Sequence, residues 1–250
     1  MSDINMCIIK SMKRDNFSVG SIVHVYNRGN RKQEIFRDEK DRWYFLQALY
    51  YFNNEYSPDN PFQILKKELK LDFYKKLIWP NNWPKRKPLV KILAYILQKN
   101  HIHLLLEEIK ERGISIFMKK MGNGITNRFN TKYKETGHLF QGSYKAKLVS
   151  DDDYLACLNI YIQVKNAMEM YPGGIKGAIK NFNNAYKFAC SYRYGSLAVY
   201  TKNEIFPILD LGNGNLIKNL IEDQKEFKAQ IKNYLSNLVF DEKTMTVSPD

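Results

Sequence analysis

His101 and His103 sit two residues apart in the stretch Asn100-His101-Ile102-His103-Leu104-Leu105-Leu106, and they are half of the four histidines in the 250-residue chain. The apolar residues around them, Ile92, Leu93, Ile96, Leu104, Leu105 and Leu106, mark a buried β-strand. Side chains two apart on a strand point to the same face, so both imidazoles can reach one ion. A metal site is the economical explanation of the pair. Two histidines holding a hard divalent ion can polarise a phosphoryl oxygen and shield charge that develops during a displacement. Such a site still needs a nucleophile. The chain has no Ser-His-Asp signature and no phosphate-cradling glycine-rich loop, but it carries tyrosines on the helix that should follow the last core strand. A tyrosyl oxygen attacking a phosphodiester would conserve the bond energy in a phosphotyrosine, which is strand-transfer chemistry rather than hydrolysis. A metal-dependent hydrolase using an activated water is the other catalytic reading, and it predicts no covalent link between protein and substrate.

The formal net charge of +13 favours a polyanionic partner, because Lys and Arg gain affinity by displacing the counterions condensed on phosphates. Nucleic acid fits this better than an anionic membrane surface. Between Glu111 and Ser150 eight Lys/Arg residues stand against two glutamates, interleaved with Phe129, Tyr133, Phe140 and Tyr144. Basic groups track a phosphate backbone and rings stack on exposed bases, so the mixture suits single-stranded or hairpin nucleic acid. The candidate contacts are Arg28, Lys85, Arg86, Lys87, Lys119, Lys120, Arg128, Lys145 and Lys147. Trp79 and Trp83 are read either as base-stacking rings or as burial of their segment against the core. Cys7, Cys157 and Cys190 are odd in number and widely spaced with no CxxC, which argues against a disulfide framework and against a cysteine-based zinc site. No apolar run approaches the roughly 20 residues that span a bilayer, and the first residues lack a signal-peptide pattern. The expectation is a soluble, cytoplasmic protein with no membrane partner.

The elements that must position these groups follow from periodicity. Ser21 to Tyr26 alternates as a strand and runs into the turn Asn27-Arg28-Gly29-Asn30. Asp38 opens a helix carrying Trp43, Phe45, Leu46, Leu49 and Tyr50. Residues from about 53 to 88 shift to Asn, Pro, Lys and Trp and read as a basic insertion. Leu89 to Gln98 and His101 to Glu107 form a strand pair around a tight Lys99-Asn100 corner. A helix follows, with Ile114, Phe117, Met118, Met121, Ile125 and Phe129 at spacings of three and four. Gly122 and Gly124 weaken that helix by about 1 kcal/mol each relative to Ala, which signals close approach by a packing partner or a ligand. Tyr144 to Val149 is the last strand, and Ser150 to Asp153 cap a further helix with an acidic first turn. Strand, helix, strand, strand, helix, strand, helix is the order of a ferredoxin-like α+β core, an antiparallel sheet with helices on one face. The expected divisions are an N-terminal segment at 1–18, the core at 19–172 and a helical C-terminal accessory region at 173–250, with the last ten residues frayed.

Four blocks in this order and spacing resemble the REP-associated tyrosine transposases, members of the single-strand HUH transposases named for a His-hydrophobic-His pair. The blocks are His24-Val25-Tyr26-Asn27-Arg28-Gly29-Asn30, Ala94 through Leu105, Gly137-His138-Leu139-Phe140-Gln141-Gly142-Ser143-Tyr144-Lys145 and Tyr161-Ile162-Gln163. The resemblance runs from about Ser21 to Met170. It implies a ferredoxin-like HUH fold that cuts single-stranded DNA near a hairpin, with His101 and His103 binding Mg2+ or Mn2+ and Tyr161 becoming linked to the 5′ phosphate. Zinc suits imidazole ligands as well. Tyr154 is the fallback nucleophile, more readily explained as core; His24 and His138 read as structural or DNA-contacting residues. The family places an Asn or Gln four residues after the nucleophile as an additional ligand. Here that position is Lys165, with Asn166 beside it, and the proline that follows in the family is missing. A protonated lysine cannot ligate a cation. Asn166 lies about 100° further round an ideal helix, so it serves only if the helix is distorted or the alignment slips by one. The expected function is a DNA transposase or domesticated relative, with a non-catalytic DNA or RNA hairpin-binding protein as the alternative. A homodimer is considered because in some HUH transposases the tyrosine acts on the neighbouring chain's site.

Overall fold

A computed structural model describes residues 17–56, 58, 61–69, 77–202, 206–212 and 215–244 of the chain. The N-terminal segment and the frayed last residues expected from the sequence fall largely outside these. Four strands, β1 (Ile22–Arg28), β2 (Val90–Leu97), β3 (His101–Glu108) and β4 (Lys145–Leu148), form one sheet in the order β2-β3-β1-β4. Every neighbouring pair is antiparallel. With helices α1 (Glu39–Tyr51) and α3 (Gly113–Tyr133) as the crossovers, this is the expected βαββαβ arrangement.

Strand alternation separates two apolar faces. Val23 and Val25 of β1 and Ile102, Leu104 and Leu106 of β3 are buried, and α1 and α3 cover them with Phe45, Leu49, Phe117, Met121 and Ile125. Asp38 caps α1 in a reciprocal capping box with Asp41, and Lys132 of α3 reaches both carboxylates at 2.6 Å, tying the two helices together. The opposite face is also covered. After β4, Asp151 accepts from the Tyr154 backbone N–H and starts α4 (Asp152–Ile160), which continues through a turn at Tyr161–Lys165 into the short α5 (Asn166–Met168). The sheet is thus sandwiched, with the crossover helices on one side and the tyrosine-bearing helix on the other.

The insertion contains α2 (Pro61–Leu69) and packs against α1. Trp83 is buried, and Trp79 stacks on Tyr51 with ring centroids 6.2 Å apart, so both indoles serve burial of the insertion. Helices α6 (Gly174–Lys180), α7 (Phe182–Ser191), α8 (Leu197–Lys202), α9 (Leu216–Glu222) and α10 (Gln224–Thr244) make up the C-terminal region. Between α7 and α8, Tyr194 to Ser196 runs along the free edge of β2, with Leu97 N donating to Tyr194 O at 2.9 Å and Ser196 N to Tyr95 O at 3.0 Å. This covers an edge that would otherwise present unpaired backbone groups. Cys157 is disulfide-bonded, and Cys190 is a free thiol. No helix among the described residues is long and apolar enough to cross a membrane.

Candidate active site

Register sets which side chains meet. Tyr26 lies opposite His103 and Arg28 opposite His101, while His24 pairs with Lys147 and Tyr26 with Lys145 across β4. Directly paired residues share a face, so these histidines, aromatics and cations all stand beneath the tyrosine-bearing helix. The Tyr161 ring packs edge-on against His103 at 5.3 Å between centroids and against His24 at 6.1 Å. Tyr26, Arg28, His101, His103, Lys145, Tyr161, Lys165, Asn166 and Glu169, with Asn27 and Gln141 to Ser143, bound a cavity of about 610 Å³.

The hydrogen bonds of the imidazoles decide which nitrogens face it. His101 Nδ1 lies 2.7 Å from the Asn100 amide oxygen, so Nδ1 carries the proton and Nε2 keeps a lone pair. His103 Nδ1 lies 2.9 Å from His24 Nε2, and His103 Nε2 is buried with no hydrogen-bond partner among the described residues. When His103 Nδ1 donates to His24, Nε2 of His103 likewise presents a lone pair. A second imidazole thus stands where metal-binding histidines usually find a carboxylate or carbonyl. Burial, then Lys147, lowers His24 to about 3; burial, then Arg28, lowers His101 to about 4 against the opposing pull of Glu169. Burial, followed by His24 and His101, holds His103 well below its ordinary range. All three rings are neutral at physiological pH, the form a metal ligand requires.

The tyrosine helix is not a regular α-helix here. The Asn166 N–H donates to Tyr161 O, five residues back, and Tyr161–Lys165 is one π-turn. A π-turn holds an extra residue, so the fifth residue after Tyr161 is brought round toward its face beside the fourth, and Lys165 and Asn166 both line the cavity. Asn166 is 1 % exposed, and neither its Oδ1 nor its Nδ2 has a partner among the described residues. Lys165 instead forms an ion pair with Glu169 Oε1 at 2.5 Å, its ammonium 5.0 Å from the Tyr161 ring centroid. Gln98, at the β2–β3 corner, fixes the turn: its Nε2 donates to Asn166 O at 2.6 Å and to Glu169 Oε2 at 3.1 Å. Burial, then Glu169, Tyr26 and Tyr154, pushes the Tyr161 hydroxyl up to about 12. It is therefore a neutral phenol until it reacts.

Residues 57–165 match the IS200-like transposase family. The matched IS200-like span holds His101, His103, Tyr161 and Lys165, whereas His24 precedes it and Asn166 falls one residue beyond its end. Among solved structures, a REP-associated tyrosine transposase bound to a REP hairpin aligns with 82% of this chain and 93% of its own, at 10% identity and a TM-score of 0.40. A bacterial tRNA(His) guanylyltransferase-like protein in complex with GTP aligns with 70% of this chain and 69% of its own, at 13% identity and a TM-score of 0.33. Comparison with curated proteins gives no match.

The structure brings His101, His103, Tyr161, Asn166, Arg28 and Lys145 to one cavity. Lys147 lies beside it, 4.6 Å over the Tyr154 ring, which Leu155 and its neighbours keep in the core. Lys119 lines a second, adjoining cavity, and Lys85 and Lys87 are exposed on the insertion. Three of the candidate cations face inward instead. Arg86 lies 4.2 Å over the Tyr50 ring and donates to Tyr50 O, Lys120 donates to Asn54 O at 2.6 Å, and Arg128 lies 5.2 Å over the Tyr44 ring. Sequence reasoning missed Gln98 and Glu169, and it assigned His24 no role toward His103. The only signal for His24 was its place in the first of the four blocks. Among the described residues no group of three or more His, Cys, Asp or Glu could hold an ion.

Proposed function

We propose that this chain is a DNA transposase or a domesticated relative, a metal-dependent single-strand endonuclease and strand transferase that acts near hairpins through Tyr161. What carries the reading is one juxtaposition: the Tyr161 phenol packs on His103, and His101, His103 and Asn166, whose amide has no partner among the described residues, line the same cavity as Tyr161. The donor set fits a divalent cation, with His101 Nε2, His103 Nε2 and Asn166 Oδ1 as the atoms that would hold it. When bound, Mg2+ or Mn2+ would polarise a phosphoryl oxygen and offset charge in the displacement. The residues of the chain do the rest. Arg28 and Lys145 at the rim position the phosphate backbone. The Tyr161 oxygen attacks phosphorus and gives up its proton; the bond to the 3′ oxygen breaks, and that oxygen takes up a proton. A 5′-phosphotyrosine and a free 3′ hydroxyl result, and attack by a 3′ hydroxyl reverses the step to join strands. The Lys165 ammonium, next to the Tyr161 ring, favours the phenolate as it forms.

The alternative, a hairpin-binding protein that no longer cleaves, drew its support from Lys165 in a ligand position. The π-turn weakens that support, because it leaves Asn166 as well as Lys165 in the lining of the cavity. The test is incubation of wild-type and Tyr161→Phe protein with labelled hairpin DNA carrying single-stranded flanks, in Mg2+, Mn2+ or EDTA, followed by denaturing electrophoresis. A metal-dependent covalent band that disappears in Tyr161→Phe is expected. Tight binding without any adduct across a panel of hairpins would leave the binding protein as the answer.

A further inference from the structure

A second cavity, of about 530 Å³, adjoins the first and shares Asn27, Gln141, Gly142 and Ser143 with it. It opens on the other side of the sheet, since Ile102 in its lining points away from His101 and His103 by strand alternation. Its floor is apolar, made by Phe45, Ile102, Met118, Met121 and Phe140, all buried. Its rim is polar: Lys119, Asn123, Thr126, His138 and Gln141 line it, and their side chains make no hydrogen bond to another described residue.

The two glycines that weaken α3 meet different surroundings. A Cβ at Gly124 would lie 2.3 Å from the Phe52 ring, so packing accounts for that glycine; a Cβ at Gly122 would meet nothing within 4 Å. Gly122 lines the cavity, and the space above it is left open at the cost of helix propensity. An apolar floor with amide, hydroxyl and lysine groups at its edge suits a planar aromatic ligand whose rim is read by hydrogen bonds and whose phosphate meets a cation.

We propose that this cavity receives an unpaired nucleobase of the strand whose phosphate enters the Tyr161 site, the strand crossing the exposed Gln141–Ser143 loop between them. The inference rests on the transposase reading. It is tested in EDTA, so that cleavage plays no part, with protein labelled at its methionine methyl groups. Met118 and Met121 then report directly from the floor. The probes are dAMP, dGMP, dCMP and dTMP, deoxyribose 5-phosphate, and a 12-nucleotide single-stranded DNA.

One or more of the mononucleotides is expected to shift both methyl signals, and the base-free sugar phosphate to leave them unmoved. The single strand should bind more tightly than any monomer. Gly122→Leu fills the open space, should melt no lower than wild type, and should abolish the shifts. It should also weaken single-strand binding by roughly 5- to 150-fold, the range for loss of one stacked base. Silent methyl signals, or shifts that persist in Gly122→Leu, overturn the inference. So does a monomer that binds as tightly as the strand, which would mark a free-nucleotide site. If wild type forms the Tyr161 adduct while the methyl groups stay silent, only the cavity assignment falls; if it neither binds DNA nor forms the adduct, the transposase reading falls with it.

Discussion

Asn166 lies in the lining of the candidate site with a buried carboxamide that has no hydrogen-bond partner among the described residues. A buried polar group left without a hydrogen bond costs about 1–3 kcal/mol, and an apolar group of the same shape relieves it. Asn166→Leu should therefore stabilise the metal-free protein by about 1–2 kcal/mol in urea unfolding, while weakening Mn2+ binding at least ~10-fold. A structural role would give the reverse, lost stability with metal affinity intact. His24 makes a second prediction through pH. Its folded value, about 3, lies below the 6.5 of an unfolded histidine, so the stability it confers is complete above pH 6.5 and is lost as pH falls toward 3. The loss runs at about 1.4 kcal/mol per pH unit. His24→Gln keeps an acceptor for His103 Nδ1 but cannot titrate. The stability lost between pH 7 and pH 5 should shrink by about 2 kcal/mol relative to wild type, measured by urea unfolding at the two pH values. His24→Leu, which offers His103 no acceptor, should cost about 10–100-fold in metal affinity, the usual effect of removing a group that orients a ligand. Equal Mn2+ affinity in a folded His24→Leu protein would show that His103 needs no such partner.

The strands, the crossover helices and the histidine face were legible because period-two and period-3.6 patterns, an Asp cap and a tight corner are local signals. The π-turn was not. Tyr161-Ile162-Gln163-Val164-Lys165 reads as ordinary helix, and what widens it comes from far along the chain. Gln163 is held between Asn159 and Ser196, at 2.5 and 2.6 Å, and Ser196 in turn receives the Tyr95 N–H. Gln98 holds Asn166 O from the sheet side. For the same reason the sequence placed Lys165 in the ligand position and left Asn166 as the residue that would serve only in a distorted helix, which is what the structure contains. Gly122 and Gly124 likewise looked equivalent until Phe52 was seen against one of them. If Gln98 stabilises the widened turn, Gln98→Leu leaves a buried carbonyl without its donor, at about 1–3 kcal/mol. Faster amide hydrogen exchange should appear in peptides spanning 161–168, together with weaker metal binding. Unchanged exchange there would mean that Asn159, Gln163 and Ser196 suffice to keep the turn.

At the scale of the molecule, a net charge of +13 favours a polyanionic partner but does not say where it would lie. The fold sorts the cations. Arg86, Lys120 and Arg128 are held by backbone carbonyls and aromatic rings, and Lys132 by two carboxylates, so their charge is committed to packing the insertion, α1 and α3 together. Arg28 and Lys145 are exposed at the mouth of the Tyr161 cavity, on adjacent paired strands, with no carboxylate partner among the described residues. Sequence counting cannot make this distinction, because both groups sit among the same aromatic residues and differ only in which way the backbone turns them. Salt dependence can. Each phosphate contact on a single strand contributes a slope of about −0.7 to log K against log salt. Arg28→Gln and Lys145→Gln should each make that slope shallower by about 0.7 for a single-stranded probe in EDTA, with melting temperature unchanged. Arg86→Gln and Arg128→Gln should do the opposite, lowering the melting temperature while leaving the slope of the remaining folded protein alone, since each guanidinium also buries its stem against a ring. If instead the inward-facing arginines set the salt slope and the rim residues do not, the DNA path runs over the insertion, and the face bearing His101, His103 and Tyr161 is not the surface that meets the strand.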